Sequence, residues 1–233
     1  MGRTIMVSFP FKQLRENKSL SDQVLDNIKE AIIRGDLKEG SRLRETHLAQ
    51  AIGISRTPVR EAMFRLEKEG LLSRLPRGGY VVASLSEQEI EETFGIRSVL
   101  ESYAARLATI RYRDNELQPL REQVEKFERY LKRGDTEKLL EINTQFHDLL
   151  YSLSRSPKLI RMINELKDQI YRLRRMILKE VELAKISNKD HREMLRAMED
   201  REPDRVERLV REHILRGKQV ILQNIKKLSK ERG

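Results

Sequence analysis

Residues 45–79, ETHLAQAIGISRTPVREAMFRLEKEGLLSRLPRGG, constrain the fold more than any other stretch of the chain. Leu48, Ala49 and Ile52 line a short helix that Gly53 closes, and Ser55 then opens another. In this next helix Val59, Ala62, Met63 and Leu66 recur at i, i+3, i+4 and i+7, which fixes one face as buried. Gly70 ends it, and two strand-like runs, 71–74 and 80–83, surround Pro76-Arg77-Gly78-Gly79. An earlier helix carries Leu20, Val24, Ile28 and Ile32 at four-residue steps and stops at Gly35. In this order the parts make a winged helix-turn-helix.

The buried stripe also decides what the helix after Ser55 presents outward. Thr57, Glu61 and Phe64 lie most nearly opposite it, and Arg56 and Arg60 flank that face near the helix start. Guanidinium and short polar groups in the first turns suit base edges in a major groove, where Arg holds guanine O6 and N7 bidentately and a Thr methyl meets a thymine methyl. Gly78 and Gly79 let a wing tip approach a phosphate backbone, with Arg77 placed for a narrow minor groove. A solvated arginine face explains any one of these residues; it does not explain their ordered assembly. Double-stranded DNA is therefore the expected partner. Net charge does not locate the contact. Residues 1–84 hold 15 basic and 10 acidic side chains and the remainder 32 and 27, an excess of five in each.

Ser84-Leu85-Ser86 reads as a joint, and Ser86 with Glu89 forms a capping box. Beyond it about six helices are expected, starting near Ser86, Asp114, Asp135, Ser156-Pro157, Ser187 and Glu202-Pro203. Amphipathic helices with short polar connections imply an antiparallel bundle. The expected class is mainly α: an arm at 1–18, a winged helix-turn-helix with a small hairpin at 19–84, and an all-α bundle at 85–230. The absence of cysteine excludes disulfides and thiolate metal sites and fits a reducing cytoplasm. No apolar run approaches a membrane span, and MGRTIMVSFPF is too short in its apolar part for a signal peptide.

Three of the four histidines, His147, His191 and His213, fall on the apolar stripes of three different bundle helices, with Asn143 one turn before His147. A hydrogen-bonded core histidine explains each one singly. Three neutral imidazoles converging in an apolar cavity also make a site for a divalent first-row metal. His47 lies in the first domain and is expected to be solvated. Arg97 shares a face with Ile90, Phe94, Ala104 and Ala108, with Glu101 following at i+4; the two either form a pair that steadies the helix, worth tenths of a kcal/mol if exposed, or set a guanidinium in an effector pocket. Arg172, Arg174 and Arg175 form a second cluster, of which one is expected to face the cavity and the others the surface; Arg174 is taken as the inward one. A three-histidine metal with open positions is also hydrolase chemistry. Yet HExxH and G-x-S-x-G motifs are absent, and no inward carboxylate is evident beside the histidines to serve as base. An effector-independent architectural DNA binder is a further alternative.

Residues 20–83 resemble the DNA-binding domain of the GntR family of bacterial transcription regulators, through Gly40, Leu43, Glu45, Leu48, Ala49, GISRTPVREAMFRLEKEGL and the glycine pair with Val81. Phe64 stands where relatives often carry a basic residue. The resemblance implies operator contacts from Arg56, Thr57, Arg60 and the wing tip Arg77, Gly78 and Gly79; Arg44 is counted with them. Residues 86–228 resemble the FCD ligand-sensing domain of the FadR subfamily, through GIRSVLESYAARLA, NTQFHDLL, DHREMLRAMED and REHIL. That resemblance implies a metal (Zn, Ni or Mn) held by Asn143, His147, His191 and His213. It also implies an effector, a small carboxylate-type metabolite, near Arg97 and Arg174, and a homodimer that binds a palindromic operator as a repressor.

Overall fold

The structure, a computed structural model, describes residues 18–113 and 115–230. The expected arm at 1–18 lies, apart from Lys18, outside the described residues, as does the helix start expected at Asp114. The chain forms two compact units that divide between Leu85 and Ser86.

In the first unit, α1 (Leu20–Arg34), β1 (Arg42–Leu43), α2 (Glu45–Ile52), α3 (Arg56–Lys68), β2 (Leu72–Arg74) and β3 (Tyr80–Val82) follow in that order. One core joins them: Val24, Ile28 and Ile32 of α1 pack with Leu48 of α2, Val59, Ala62, Met63 and Leu66 of α3, and Leu72, Tyr80 and Val82 of the sheet. The four α3 residues are wholly inaccessible, so the rotation of this helix is fixed by its apolar stripe. Gly53, in the left-handed conformation at φ 77°, stops α2 and turns the chain towards α3. Ser55 occupies the N-cap position of α3 but accepts no hydrogen bond from it, so the expected side-chain cap is not made.

The wing has a strand that the sequence does not announce. β1 pairs with β3, giving an antiparallel sheet of order β1-β3-β2 with Leu43 opposite Tyr80 and Leu72 opposite Val82. Gly79 is where the two edges come together. Its φ is +83°, and a Cβ there would stand 2.8 Å from the Leu43 carbonyl oxygen. Gly78 has a similar φ of +84° but nothing within 4 Å of its would-be Cβ. Alanine at either position carries the left-handed penalty, of order 1–3 kcal/mol. Only Gly79→Ala adds a clash with backbone. Thermal unfolding should therefore show a larger loss for Gly79→Ala than for Gly78→Ala; equal losses would mean that the Leu43 approach does not matter.

The second unit holds α4 (Glu87–Arg111), α5 (Gln118–Arg133), α6 (Thr136–Ser152), α7 (Pro157–Glu165), α8 (Lys167–Leu178), α9 (Val181–Glu199) and α10 (Pro203–Lys230). The capping box at Ser86 is present: Ser86 Oγ accepts from the Glu89 N–H, and Glu89 accepts from the Ser86 N–H at 2.8 Å. α4 and α10 pack along one another, and Ala104, Ala105 and Ala108 of α4 and Val206, Val210 and Ile214 of α10 are buried. The helix expected from Ser156 is interrupted at Leu166 and continues as α8. The helix expected from Ser187 begins earlier, at Val181, and Ser187 is buried within it.

Candidate nucleic-acid face and candidate metal site

Each unit carries one surface or cavity that its fold positions for chemistry. In the first, the buried stripe of α3 turns Arg56, Thr57 and Arg60 out to solvent. Glu45, at the start of α2, pairs with Arg56 at 3.4 Å. Arg44, at the N-cap of α2, is exposed, as are Arg77 and Gly78 at the wing tip, whereas Gly79 is half-buried against Leu43. Phe64 is 47% exposed on α3, with the Lys68 ammonium 4.7 Å above its ring. His47 is exposed.

In the second unit three helices bring His147 (α6), His191 (α9) and His213 (α10) together, with candidate ligand atoms all within 4.8 Å of one another. Phe146 stacks on the His191 ring at 4.1 Å and 18°, which holds that imidazole in place. Burial, and then the neighbouring cations and imidazoles, push His147 and His191 well below the usual histidine range, so both rings are neutral and offer a lone pair. Asn143 is buried one turn before His147 and lines the same cavity as His213.

The hydrogen bonds around the triad decide which nitrogen of each ring is free. An ionised carboxylate only accepts. Tyr151 therefore donates to Glu101 at 2.5 Å, and its oxygen is left to accept from His147 Nδ1–H at 3.0 Å. Asp190 accepts from His213 Nδ1–H at 2.8 Å, and Arg216 donates to the same carboxylate oxygen. His191 Nε2 is buried without a hydrogen-bond partner. His147 and His213 are thus left with Nε2 lone pairs, and the orphaned Nε2 of His191 completes a three-nitrogen set. This donor set fits a first-row divalent cation, with carboxylates and a tyrosine behind the ligands as such sites require.

Glu101 corrects the sequence reading, because it is an inward carboxylate. Of the two readings of the Arg97–Glu101 pair, the structure has the inward one: Glu101 is wholly buried and Arg97 only 4% exposed. Arg97 Nε donates to Glu101 at 2.6 Å, and Arg174 lies 3.7 Å from its other oxygen. Burial alone would raise the Glu101 carboxyl; the Arg97 and Arg174 cations, with the bonds from Arg97 and Tyr151, outweigh it and hold the group below its usual range. Both guanidiniums keep spare buried donors, Arg97 Nη1 and Arg174 Nε, without partners. Asp190 is a second carboxylate at the triad that sequence reasoning missed. Tyr151 was missed as well, although its place four residues after His147 repeats the Asn143–His147 spacing and puts it on the same face.

Tyr151→Phe removes the group that fixes the His147 ring while leaving its volume. Loss of a partner behind a metal ligand ordinarily costs 10–100-fold in affinity. Chelator competition should show a drop of about that size, with the fold intact; unchanged affinity would detach Tyr151 from the site.

Two family models match the chain: that of bacterial regulatory proteins of the gntR family over residues 20–82, and that of the FCD domain over residues 92–216. The HTH-type transcriptional regulator YdhC of Bacillus subtilis is 36% identical over 151 residues, 64% of this chain and 67% of its own length. A probable D-xylose utilization operon transcriptional repressor of Paenarthrobacter nicotinovorans is 30% identical over 196 residues, covering 84% and 86%. The solved structure of McbR/YncC from E. coli superposes with a TM-score of 0.68 at 28% identity, over 93% of this chain and 100% of that one. These relatives are transcription regulators, not enzymes.

Proposed function

The chain belongs to the GntR family of bacterial regulatory proteins and its second unit carries an FCD domain, and from that premise we propose that it is a dimeric repressor whose hold on a palindromic operator is set by a small organic acid bound beside a metal. It is a DNA-binding transcription regulator, and no helix among the described residues is long and apolar enough to cross a membrane. The observation that carries the proposal is the pairing of an exposed Arg56-Thr57-Arg60 edge on a core-locked α3 with a three-nitrogen set, buried at His147 and His191 and partly buried at His213, flanked by unpartnered guanidinium donors.

In the first unit the leading turns of α3 enter the major groove, and the Arg77-Gly78-Gly79 tip follows the adjacent backbone. In the second, His147, His191, His213 and Asn143 would hold a divalent cation such as Zn, Ni or Mn. When bound, the ion supplies positive charge and open coordination positions for an oxygen ligand. Arg97 and Arg174 orient a carboxylate bidentately through donors that Glu101 leaves free. Glu101 bridges the two cations and, through Tyr151, holds the His147 ring. Such a ligand changes DNA affinity only to the extent that it binds the DNA-competent and DNA-incompetent states unequally.

Dimerisation is supported by the outward face of α4. Ile96, Val99, Tyr103 and Ile110 are each about half exposed and recur at steps of three, four and seven. A long helix that buries one face in its own bundle and keeps an apolar stripe on the other fits a two-fold interface with a second copy. Val99→Asp is expected to shift sedimentation from dimer to monomer and to reduce affinity for a two-half-site operator to that for a single half-site. A wild-type chain that sediments as a monomer at micromolar concentration would refute the dimer. The repressor role rests on the relative that bears that name, and a promoter–reporter fusion tests it: deletion of the chain should raise expression.

A further inference from the structure

A cavity that opens to solvent lies beside the triad and is lined by His213. Its polar groups sit at one end. His213 and Asp190 face each other there, and Asn143, Arg97 and Arg174 line the same cavity. The other lining residues are reached by moving along three helices in one concerted direction. On α8, Ile177 follows Arg174 by almost a turn, towards the connection to α9. On α9, Leu183 and Ile186 precede Asp190, again towards that connection. α10 runs back along α9, and on it Val220 lies seven residues past His213, about 10 Å at 1.5 Å per residue. The α8–α9 end of the cavity is therefore walled by aliphatic side chains, and Ile186, 39% exposed, brings it to solvent.

Gly217 supports the same polarity. It lies in the interior of α10, where glycine costs about 1 kcal/mol relative to alanine. A Cβ at this position would stand 2.8 Å from Ile177 Cδ1 and 3.4 Å from Phe94 Cε1, so the missing side chain is what lets apolar walls meet the helix backbone. Arg216 also lines the cavity but is bonded to Asp190 beside His213. Towards the aliphatic end Ser187 supplies one neutral hydroxyl, and apart from Arg216 no cation lines the cavity there to pair with a second carboxylate.

Resting on the organic-acid reading above, we propose that the effector is an amphiphilic monocarboxylate: its carboxylate sits at the histidine and arginine end, and an aliphatic tail of several carbons lies along Ile177, Leu183, Ile186 and Val220. A dicarboxylate whose far end stops short of the rim would place a charge among those side chains with no free cation to pair with it, which is unfavourable. Each added methylene contributes the usual transfer free energy, about a fourfold gain in affinity per carbon until the tail reaches solvent.

Calorimetric titration of the zinc-loaded full chain with acetate, butanoate, hexanoate and adipate tests this. Hexanoate and adipate have six carbons each and differ only at the far end. The expected result is a rise of about fourfold per methylene from acetate to hexanoate, with adipate at least about tenfold weaker than hexanoate. Ile186→Asn, a change at the exposed rim, should flatten the chain-length dependence. A flat series, or adipate binding more tightly than hexanoate, would overturn the amphiphile while leaving the organic-acid reading in place. Binding of no acid at all would remove both.

Discussion

Arg60→Ala is expected to weaken operator binding by about 1–3 kcal/mol, five- to 150-fold, and to erase the preference at one base pair. The expectation follows from the packing of α3. Val59, Ala62, Met63 and Leu66 have no accessible surface, so the helix cannot rotate to hide the arginines. Arg60 projects from the exposed side, and surface substitutions of this kind usually alter stability by no more than about 0.5 kcal/mol. Unchanged melting with lost sequence discrimination is the signature of a base contact. Arg56→Ala should act in the same direction and less strongly, because Glu45 already engages that guanidinium at 3.4 Å in the free chain. Weakening that is uniform across sequences would instead reassign Arg60 to the phosphates.

The second large effect concerns metal. Protein purified without chelator should carry close to one zinc, nickel or manganese per chain, and His191→Ala or His213→Ala should reduce this to background. His47→Ala, an exposed change in the first unit, should leave metal content untouched. A ligand that binds only the folded state contributes about 2.7 kcal/mol at a concentration 100-fold above its Kd. Addition of metal should therefore raise the melting temperature of the wild type by several degrees and that of His213→Ala hardly at all. A wild type that is metal-free and thermally indifferent to all three ions would return the histidines to the role of core side chains.

Much of this architecture is legible in the sequence because it is local. The period of Val59, Ala62, Met63 and Leu66, the box at Ser86 and Glu89, and the glycine stops at Gly35 and Gly53 each depend on residues within two turns. β1 is not legible, since two residues show no alternation and only their pairing with β3 defines them. The break at Leu166 also leaves no trace: no Pro or Gly marks it, and Ile163 and Ile170 keep a seven-residue spacing across it. Ser187 resembles a helix start in composition, but α9 begins a turn and a half earlier without a side-chain cap.

The second unit's cavity divides in the same way. Three inward histidines follow from helical period, whereas their convergence depends on how α6, α9 and α10 are arranged. Asp190 illustrates the limit. It adjoins His191 in sequence, points a different way from α9, and meets His213 on another helix. Glu101 is legible as the partner of Arg97 but not as a buried one, because i,i+4 pairs are ordinarily at the surface and only the convergence of Arg174 and Tyr151 makes this one tolerable inside.

The most direct test is repeated selection of random duplexes by the purified, zinc-loaded full chain, followed by anisotropy titrations of the winners. The account predicts enrichment of one inverted repeat whose half-sites lie about one helical turn, or a multiple of it, apart. It further predicts that this preference vanishes in Arg60→Ala and shifts when the acid occupying the cavity is added. A pool that emerges unenriched, with equal affinity for selected and random duplexes, would contradict it.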